Sequence, residues 1–130
     1  MAADDVIRFL DSPDTSFEGL PSEEEALELV KIHYPTKPYC IVEQWQLLEL
    51  ELTAEETANV KSTGQLPLFL FAHRVLEDSE GRFERGYFVR SSMCKSFMDG
   101  VLFETRNTVY VLVGPGHKKF ASLRDVFSIF

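Results

Sequence analysis

Residues 87–113 read YFVRSSMCKSFMDGVLFETRNTVYVLV and decide the fold. β-Branched and aromatic residues crowd three runs of this stretch, at 87–92, 101–105 and 108–113. The breaks between the runs contain Asp-Gly and Arg-Asn pairs, and Gly, Asp and Asn are typical of turns between strands. The pattern predicts a meander of consecutive antiparallel strands.

The preceding and following segments extend this meander into an α+β domain. Residues 39–52 and 66–76 are rich in apolar residues with the period or continuity of strands. Ser22 and Thr53 each stand three residues before a Glu, which predicts a capped helix after each of them. A last helical turn is expected at 123–127. We predict a single α+β domain, with an antiparallel meander of about five or six strands and two or three short helices, the N-terminal one packed on the sheet.

The chain of 130 residues is most simply one domain with an acidic leading segment. Residues 1–21 are acidic and irregular, and we expect them to dock loosely. A short element around 6–10 and a frayed chain are equal alternatives for this segment. Residues 22–130 form the predicted domain. The C-terminal Phe127, Ile129 and Phe130 are expected to pack on the sheet or in an interface between two copies of the chain, as in a homodimer.

Charge is unevenly distributed along the chain. Residues 1–65 hold 14 acidic and 4 basic residues, whereas residues 66–130 hold 7 acidic and 9 basic ones. An acidic first half repels phosphates and disfavours direct binding of nucleic acid. The bias indicates either a solvated surface or a negative surface directed at a basic partner protein.

The sequence offers little for catalysis or for a metal. Cys40 and Cys94 lack paired spacing, and the three histidines, His33, His73 and His117, lack the spacing of a metal site. We predict no catalytic residue, no metal and no cofactor, with a Cys-His pair as the minor enzymatic alternative. No signal sequence and no apolar run near 18 residues is present, so a cytoplasmic protein without membrane contact is expected.

A protein-binding surface is the leading candidate site. Its carboxylates lie at the first helix start, along the 39–52 strand and at the second capping box. One aromatic residue accompanies them as a possible anchor. The candidate residues are Glu23, Glu24, Glu25, Glu28, Glu43, Glu49, Glu51, Glu55, Glu56 and Trp45. Helix N-termini, a solvated strand face and core packing of Trp45 are the structural alternatives.

An anion-binding site is the second candidate. Residues 106–107 and 114–119 are expected to form turns, and the basic and hydroxyl side chains near them suit a phosphate group. The candidate residues are Arg90, Ser91, Arg106, Thr108, His117, Lys118 and Lys119. Ordinary turn chemistry with exposed lysines is the structural alternative.

Residues 85–119, RGYFVRSSMCKSFMDGVLFETRNTVYVLVGPGHKK, carry a resemblance. They resemble the C-terminal part of an uncharacterised family of small proteins of bacteriophages and prophages, a domain of unknown function. That family's pattern is a VRTS-like strand, a DG turn and FETRNTVYVLLGPG. The resemblance covers roughly a quarter of the chain. It implies a mobile-element accessory protein in the bacterial cytoplasm and no established activity.

These observations favour a non-enzymatic, phage-encoded inhibitor of a host nucleic-acid-handling or defence complex, of the anti-CRISPR type. Its carboxylates would meet a basic host protein or nucleoprotein complex. Capture of an anionic nucleotide signal at Arg90, Arg106 and the 114–119 turn is one alternative. A phage structural or assembly protein is another.

Overall fold

The computed structural model describes residues 16–129, which form one α+β domain with a mostly antiparallel open sheet. In this part of the chain the elements follow in the order β1 (Ser16–Glu18), α1 (Glu23–His33), β2 (Tyr39–Leu50), α2 (Ala54–Ser62), β3 (Leu68–Asp78), β4 (Val89–Arg90), β5 (Ser96–Met98), β6 (Leu102–Glu104), β7 (Val109–Ala121) and α3 (Leu123–Phe127). The predicted fold class is confirmed. Both predicted capped helices are present, and Thr53 and Glu56 form a reciprocal capping box.

The two longest strands lie side by side at the centre of the sheet. The strand order is β4–β3–β2–β7–β6–β5, and β1 pairs separately with β7. β2 and β7 run parallel, while the other strand pairs are antiparallel. No local turn joins β2 to β7, since α2 and four strands lie between them in the chain. The parallel pair is therefore a long-range feature that the meander pattern did not predict.

The inner face of the sheet holds the larger core. The sheet curls so that Phe97 on β5 and Phe103 on β6 share one cluster with Leu68 and Leu70 on β3. The segment around Cys94 closes the gap between these ends, because its backbone bonds both to β3 and, through the next residue, to β6. The inner core is thus enclosed by the sheet itself.

The outer face is covered by two helices at opposite ends. Ala26 and Val30 of α1 are fully buried against a cluster that includes Ile41 of β2 and Val111 of β7. Val126 of α3 is fully buried in a second cluster, together with Leu48, Leu50, Phe69 and Ala121. The prediction that the N-terminal helix packs on the sheet is confirmed.

Trp45 lies in the inner core, where its indole covers the backbone of β7. Its side chain is 1% exposed, and its Nε1 donates to the carbonyl of Gly114 over 3.1 Å. A Cβ atom at Gly116 would overlap the indole ring, so the strand approaches this closely only because glycine stands there. Burial removes Trp45 from any surface that a partner can touch, and core packing is its role in this structure.

The segment predicted as a tight turn at 114–119 is instead part of strand β7. The register of β2 against β7 shifts between Glu43 and Trp45, next to Gln44 and Gly114, which have φ values of 53° and 72°. Between the paired positions, Gln44 of β2 lies opposite both Gly114 and Pro115 of β7, so β7 carries the extra residue of a bulge. The Gly and Pro residues correctly predicted an irregular backbone here. The strand does not turn, however, because β2 and β1 pair with β7 beyond the bulge.

The bounds of two further predicted segments differ from those in the structure. The strand predicted at 87–92 is limited to Val89–Arg90, and Tyr87 and Phe88 before it are exposed. Residues 16–18 pair with β7 and bury Phe17, while the element expected around residues 6–10 and Phe130 lie outside the described residues. The division of the chain at residue 21 stays a prediction.

Replacement of Gly116 by Ala should destabilise the fold. The new methyl group must displace the Trp45 ring or the β7 backbone, and overpacking of this kind costs about 1–3 kcal/mol. Urea unfolding followed by Trp fluorescence measures the change, with Pro115→Ala at the exposed neighbouring position as the control. An unchanged midpoint for G116A would show that the close approach does not constrain the strand.

Candidate protein-binding site

The predicted carboxylates divide into two groups at opposite ends of β2. Glu23, Glu24, Glu25 and Glu28 lie on α1, whereas Glu51, Glu55 and Glu56 follow the end of β2 or begin α2. β2 has 12 residues, and at about 3.3 Å per residue its ends are up to roughly 36 Å apart along the strand. The candidate residues therefore do not form one patch.

The α1 group borders a cleft with a carboxylate from another element. The cleft is about 400 Å³ in volume and is lined by Ser22, Glu23, Glu24, Leu27 and Glu77. Glu77 comes from the end of β3, so the cleft joins the first turn of α1 to the edge of the sheet. We call this surface the α1 cleft. Three carboxylates and one leucine side chain suit a cation carried on an apolar stem.

One carboxylate that lines the α1 cleft is already paired with a basic side chain of the protein itself. Nη1 of Arg85 lies 3.0 Å from Oε1 and 3.3 Å from Oε2 of Glu23, and it also donates to the carbonyl of Leu76 over 3.0 Å. More than half of the Arg85 side chain remains exposed. The pair shows that a guanidinium can contact the Glu23 carboxylate, which lines the cleft.

Local sequence holds the first turn of α1 in place. Oγ of Ser22 accepts a hydrogen bond from the backbone N–H of Glu25, and three glutamates occupy the positive end of the helix dipole. Ala26 and Val30 bury the opposite side of the helix. The acidic side is therefore exposed as a consequence of the way the helix packs.

A carboxylate network fixes the chain that follows α1. Oε2 of Glu104 on β6 is 2.7 Å from Nζ of Lys37, and Oε1 accepts from Ser96 at 2.7 Å and from the Tyr34 hydroxyl at 3.4 Å. Burial by itself raises the pKa of Glu104, but the hydrogen bonds from Lys37 and Ser96 and the charges of Lys37 and Lys95 outweigh it and lower the pKa. The ionised carboxylate thus joins the end of α1 to β5 and β6.

The remaining predicted carboxylates have partners or local roles. Glu43 pairs with Arg74 at 3.3 Å, and Glu49 pairs with Lys118 at 3.5 Å. Glu56 accepts the backbone N–H of Thr53 and completes the capping box, which lowers the pKa of Glu56. These residues are structural or are separate from the α1 cleft.

The predicted anion-binding residues do not converge. Arg106 lies in the turn before β7 and borders a cleft with Lys95, whereas Arg90 lies on β4 at the far side of β3, β2 and β7. The hydroxyl of Ser91 is buried between Leu70 and Ser92.

Thr108 and the three basic residues of β7 are placed differently from one another. The Thr108 hydroxyl accepts a hydrogen bond from Arg82 over 2.9 Å. Lys118 is paired with Glu49, as described above. His117 and Lys119 follow the bulge, where β7 passes the end of β2 that lies near α3. The residues predicted to form one anion-binding site therefore lie on several separate elements.

The described residues 16–129 contain no cluster of three His, Cys, Asp or Glu side chains suited to a metal ion. Both cysteines are buried thiols. Burial and the nearby Asp78 raise the pKa of Cys40 to about 12, and burial and Glu104 raise the pKa of Cys94. A reactive cysteine requires a lowered pKa and some exposure, and neither thiol has them. Among the same residues, no helix has the length and apolarity needed to cross a membrane.

Sequence reasoning missed the residues that complete the site. Glu77 lines the α1 cleft from β3, and Arg85 of the β3–β4 loop pairs with Glu23. Lys37 and Glu104 stabilise the chain beyond the helix. The apolar run of β3 was visible in the sequence, but the packing of β3 against α1 was not. No local pattern links residues so far apart in the chain.

The chain belongs to a family described as a domain of unknown function (DUF6957), whose sequence model matches residues 18–128. The match covers the whole described domain apart from a few terminal residues. Searches of curated proteins and of solved structures return no match. Neither the family match nor the arrangement of the described residues points to an enzymatic activity.

Replacement of Glu104 by Gln should destabilise the protein in a pH-dependent way. At neutral pH the change removes the carboxylate that Lys37 and Ser96 contact, at a cost of about 1.5–3 kcal/mol. The pKa of Glu104 is lower in the folded state than the unfolded value of about 4.3, so this contribution is present above that value. It is lost as the pH falls through the lowered pKa, and the two proteins should then become similar in stability.

Urea unfolding of the wild type and of E104Q between about pH 7 and pH 3 measures this difference. Glu51→Gln, at an exposed position, is the control and should leave stability unchanged. A difference between wild type and E104Q that stays constant over the whole range would contradict the network.

Proposed function

We propose that the protein is a non-enzymatic binding protein that docks a basic surface of a partner protein at the α1 cleft. The observation that carries this proposal is the pairing of the Arg85 guanidinium with Glu23, one of the carboxylates that line the cleft. Glu24 and Glu77 line the same cleft. A partner's Arg or Lys can enter beside Arg85 or replace it, because the Arg85 side chain is largely exposed.

The net charge of the whole chain also favours a basic partner. The net charge is −8, and Glu25 and Glu28 add exposed carboxylates next to the cleft. Such a field steers a positively charged partner towards the protein and repels free nucleic acid. Leu27 adds an apolar contact for the stem of the incoming side chain.

The resemblance of residues 85–119 to phage and prophage proteins gives the proposal its biological setting. We propose a phage-encoded accessory protein in the bacterial cytoplasm that inhibits a host nucleic-acid-handling or defence complex, as anti-CRISPR proteins do. Complexes of that class hold nucleic acid in basic grooves. Carboxylates of the α1 cleft would compete with phosphates for the same lysines and arginines.

Capture from bacterial lysate with paired charge variants tests the docking step. Glu24→Gln/Glu28→Gln removes two charges at the cleft, and Glu51→Gln/Glu55→Gln removes two charges at the far end of β2. The two variants have the same net charge, so they differ only in where the charge is lost. Exposed ion pairs contribute about 0.2–1 kcal/mol each, so the cleft variant should bind a captured partner about two- to thirtyfold more weakly than the control variant.

Salt dependence separates the electrostatic mechanism from apolar docking. Raising the ionic strength from about 0.05 M to about 0.5 M should weaken the wild-type complex more than the complex of the cleft variant. The proposal fails if both variants bind as well as the wild type, if both lose the partner equally, or if binding ignores salt. Retention of virion components alone would indicate a structural or assembly protein instead.

A further inference from the structure

A cleft separate from the α1 cleft lies where the loop after α2 meets the segment before β5 and the turn before β7. Its volume is about 390 Å³, and the residues that line it are Thr63, Gly64, Gln65, Lys95 and Arg106. This volume is within the range of small-molecule pockets. We call it the α2 cleft. The two clefts share no lining residue, so the α2 cleft is a second candidate site.

The charged side chains that line the α2 cleft are both positive. They belong to Lys95 and Arg106, and no carboxylate of the described residues 16–129 lines this cleft. Both residues are exposed, and 58% of the Lys95 side chain is open to solvent. The net charge of the whole chain is −8, so the lining of the cleft is opposite in sign to the protein as a whole. A ligand that meets both cations is therefore an anion.

The two basic groups are available to a ligand. Nζ of Lys95 lies 3.9 Å from Oε2 of Glu104, but the same oxygen lies 2.7 Å from Nζ of Lys37, which is its main partner. Within the part of the chain that the structure describes, the guanidinium of Arg106 forms no hydrogen bond and no ion pair. A guanidinium carries five N–H donors, so Arg106 can bind an anion without giving up a contact to these residues.

The C-terminal end of α2 does not account for these two cations. Basic side chains can bind the last carbonyl groups of a helix and interact with its dipole. Here the last carbonyls already accept hydrogen bonds from groups of the same helix end. The pairs are Ser62 Oγ with the Asn59 carbonyl (2.7 Å), Thr63 Oγ1 with the Val60 carbonyl (2.6 Å) and the N–H of Gly64 with the Lys61 carbonyl (3.0 Å).

Hydrogen bonds of the backbone hold the three segments of the α2 cleft together. The N–H of Leu66 donates to the carbonyl of Cys94 over 2.9 Å, and the N–H of Lys95 donates to the carbonyl of Glu104 over 2.7 Å. The turn at 105–108 is closed by backbone and hydroxyl hydrogen bonds between its two buried threonines. The backbone of the cleft is thus fixed before a ligand binds, which lowers the entropic cost of binding.

We propose that the α2 cleft binds a small molecule that carries a phosphomonoester group. A phosphomonoester has nearly two negative charges at neutral pH, which matches the two cations of the cleft. The planar guanidinium of Arg106 can contact two phosphate oxygens at once, and the ammonium group of Lys95 adds a point charge. The side-chain amide of Gln65 lies in the lining and supplies further N–H donors.

Two other kinds of anion agree less well with the α2 cleft. A carboxylate carries a single negative charge and leaves one of the two cations unmatched. Nucleic acid presents a long series of phosphodiesters, and a chain with a net charge of −8 repels such a polyanion. The proposal does not depend on the α1 cleft, so the two proposals fail separately.

Amide NMR titrations of the full chain test the proposal with three probes that share one base and one sugar. Adenosine 5′-monophosphate carries a phosphomonoester, adenosine 3′,5′-cyclic monophosphate carries a phosphodiester, and adenosine carries neither. Inorganic phosphate is the fourth probe. Lys95→Gln and Arg106→Gln each remove one charge from the cleft. Lys31→Gln on α1 and Arg124→Gln on α3 make the same chemical changes at other exposed positions and serve as matched controls.

The 5′-monophosphate and inorganic phosphate should shift the amide signals of residues 63–65, Lys95 and Arg106, and adenosine should shift none of them. The cyclic diester should bind more weakly than the monoester because it carries one charge fewer. Each cleft variant should raise the Kd of the 5′-monophosphate about two- to fivefold, and the controls should match the wild type. Arg106→Gln keeps the test valid if loss of the Lys95–Glu104 contact alters the fold.

Several results would overturn the proposal. These are no shifts at the cleft with the 5′-monophosphate, equal affinities for adenosine and its 5′-monophosphate, and equal losses in the cleft variants and their controls. Tighter binding of the cyclic diester, or of an oligothymidylate, at the same residues would assign the cleft to phosphodiesters instead.

Discussion

The contact between the Trp45 indole and the backbone of β7 is the constraint on which the rest of the structure depends. It requires glycine at position 116 and accompanies the bulge at which Gln44 of β2 lies opposite Gly114 and Pro115 of β7. Before the bulge, the outer face of the central pair receives α1. After the bulge, it receives α3. A single aromatic residue in the inner core thus lies between the two helix-covered ends of the opposite face.

This division also separates two clefts with different linings. The α1 cleft presents carboxylates from a helix start and from the end of β3, whereas the groove beside α3 is lined by the aromatic rings of Phe71 and Phe120 together with Lys119 and Asp125. The Glu43–Arg74 pair and the Glu49–Lys118 pair neutralise charges on the central strand between them.

Short-range sequence patterns predicted most of the helices and strands, but they did not predict which distant elements pack or pair with each other. Ser22 and Thr53 predicted helices because a cap and its partner lie within three residues of each other. The strands were predictable because their side-chain period is also a short-range pattern. The turn predicted after Val113 was wrong because a Gly-Pro-Gly sequence permits a bulge as well as a turn, and pairing with β2 decides between them. No short-range sequence pattern predicts the pairing of two strands that are distant in the chain.

The candidate site shows the same limit. The acidic residues of α1 were identified from sequence, but Glu77 and Arg85 join them only through the packing of the helix against the end of β3. The central functional claim is that this cleft binds a cationic side chain. A two-dimensional amide NMR titration with a short oligoarginine peptide tests it most directly. The account predicts salt-sensitive shifts confined to residues 22–28, Glu77 and Arg85. Shifts centred on α2, or spread evenly over every exposed carboxylate, would contradict it.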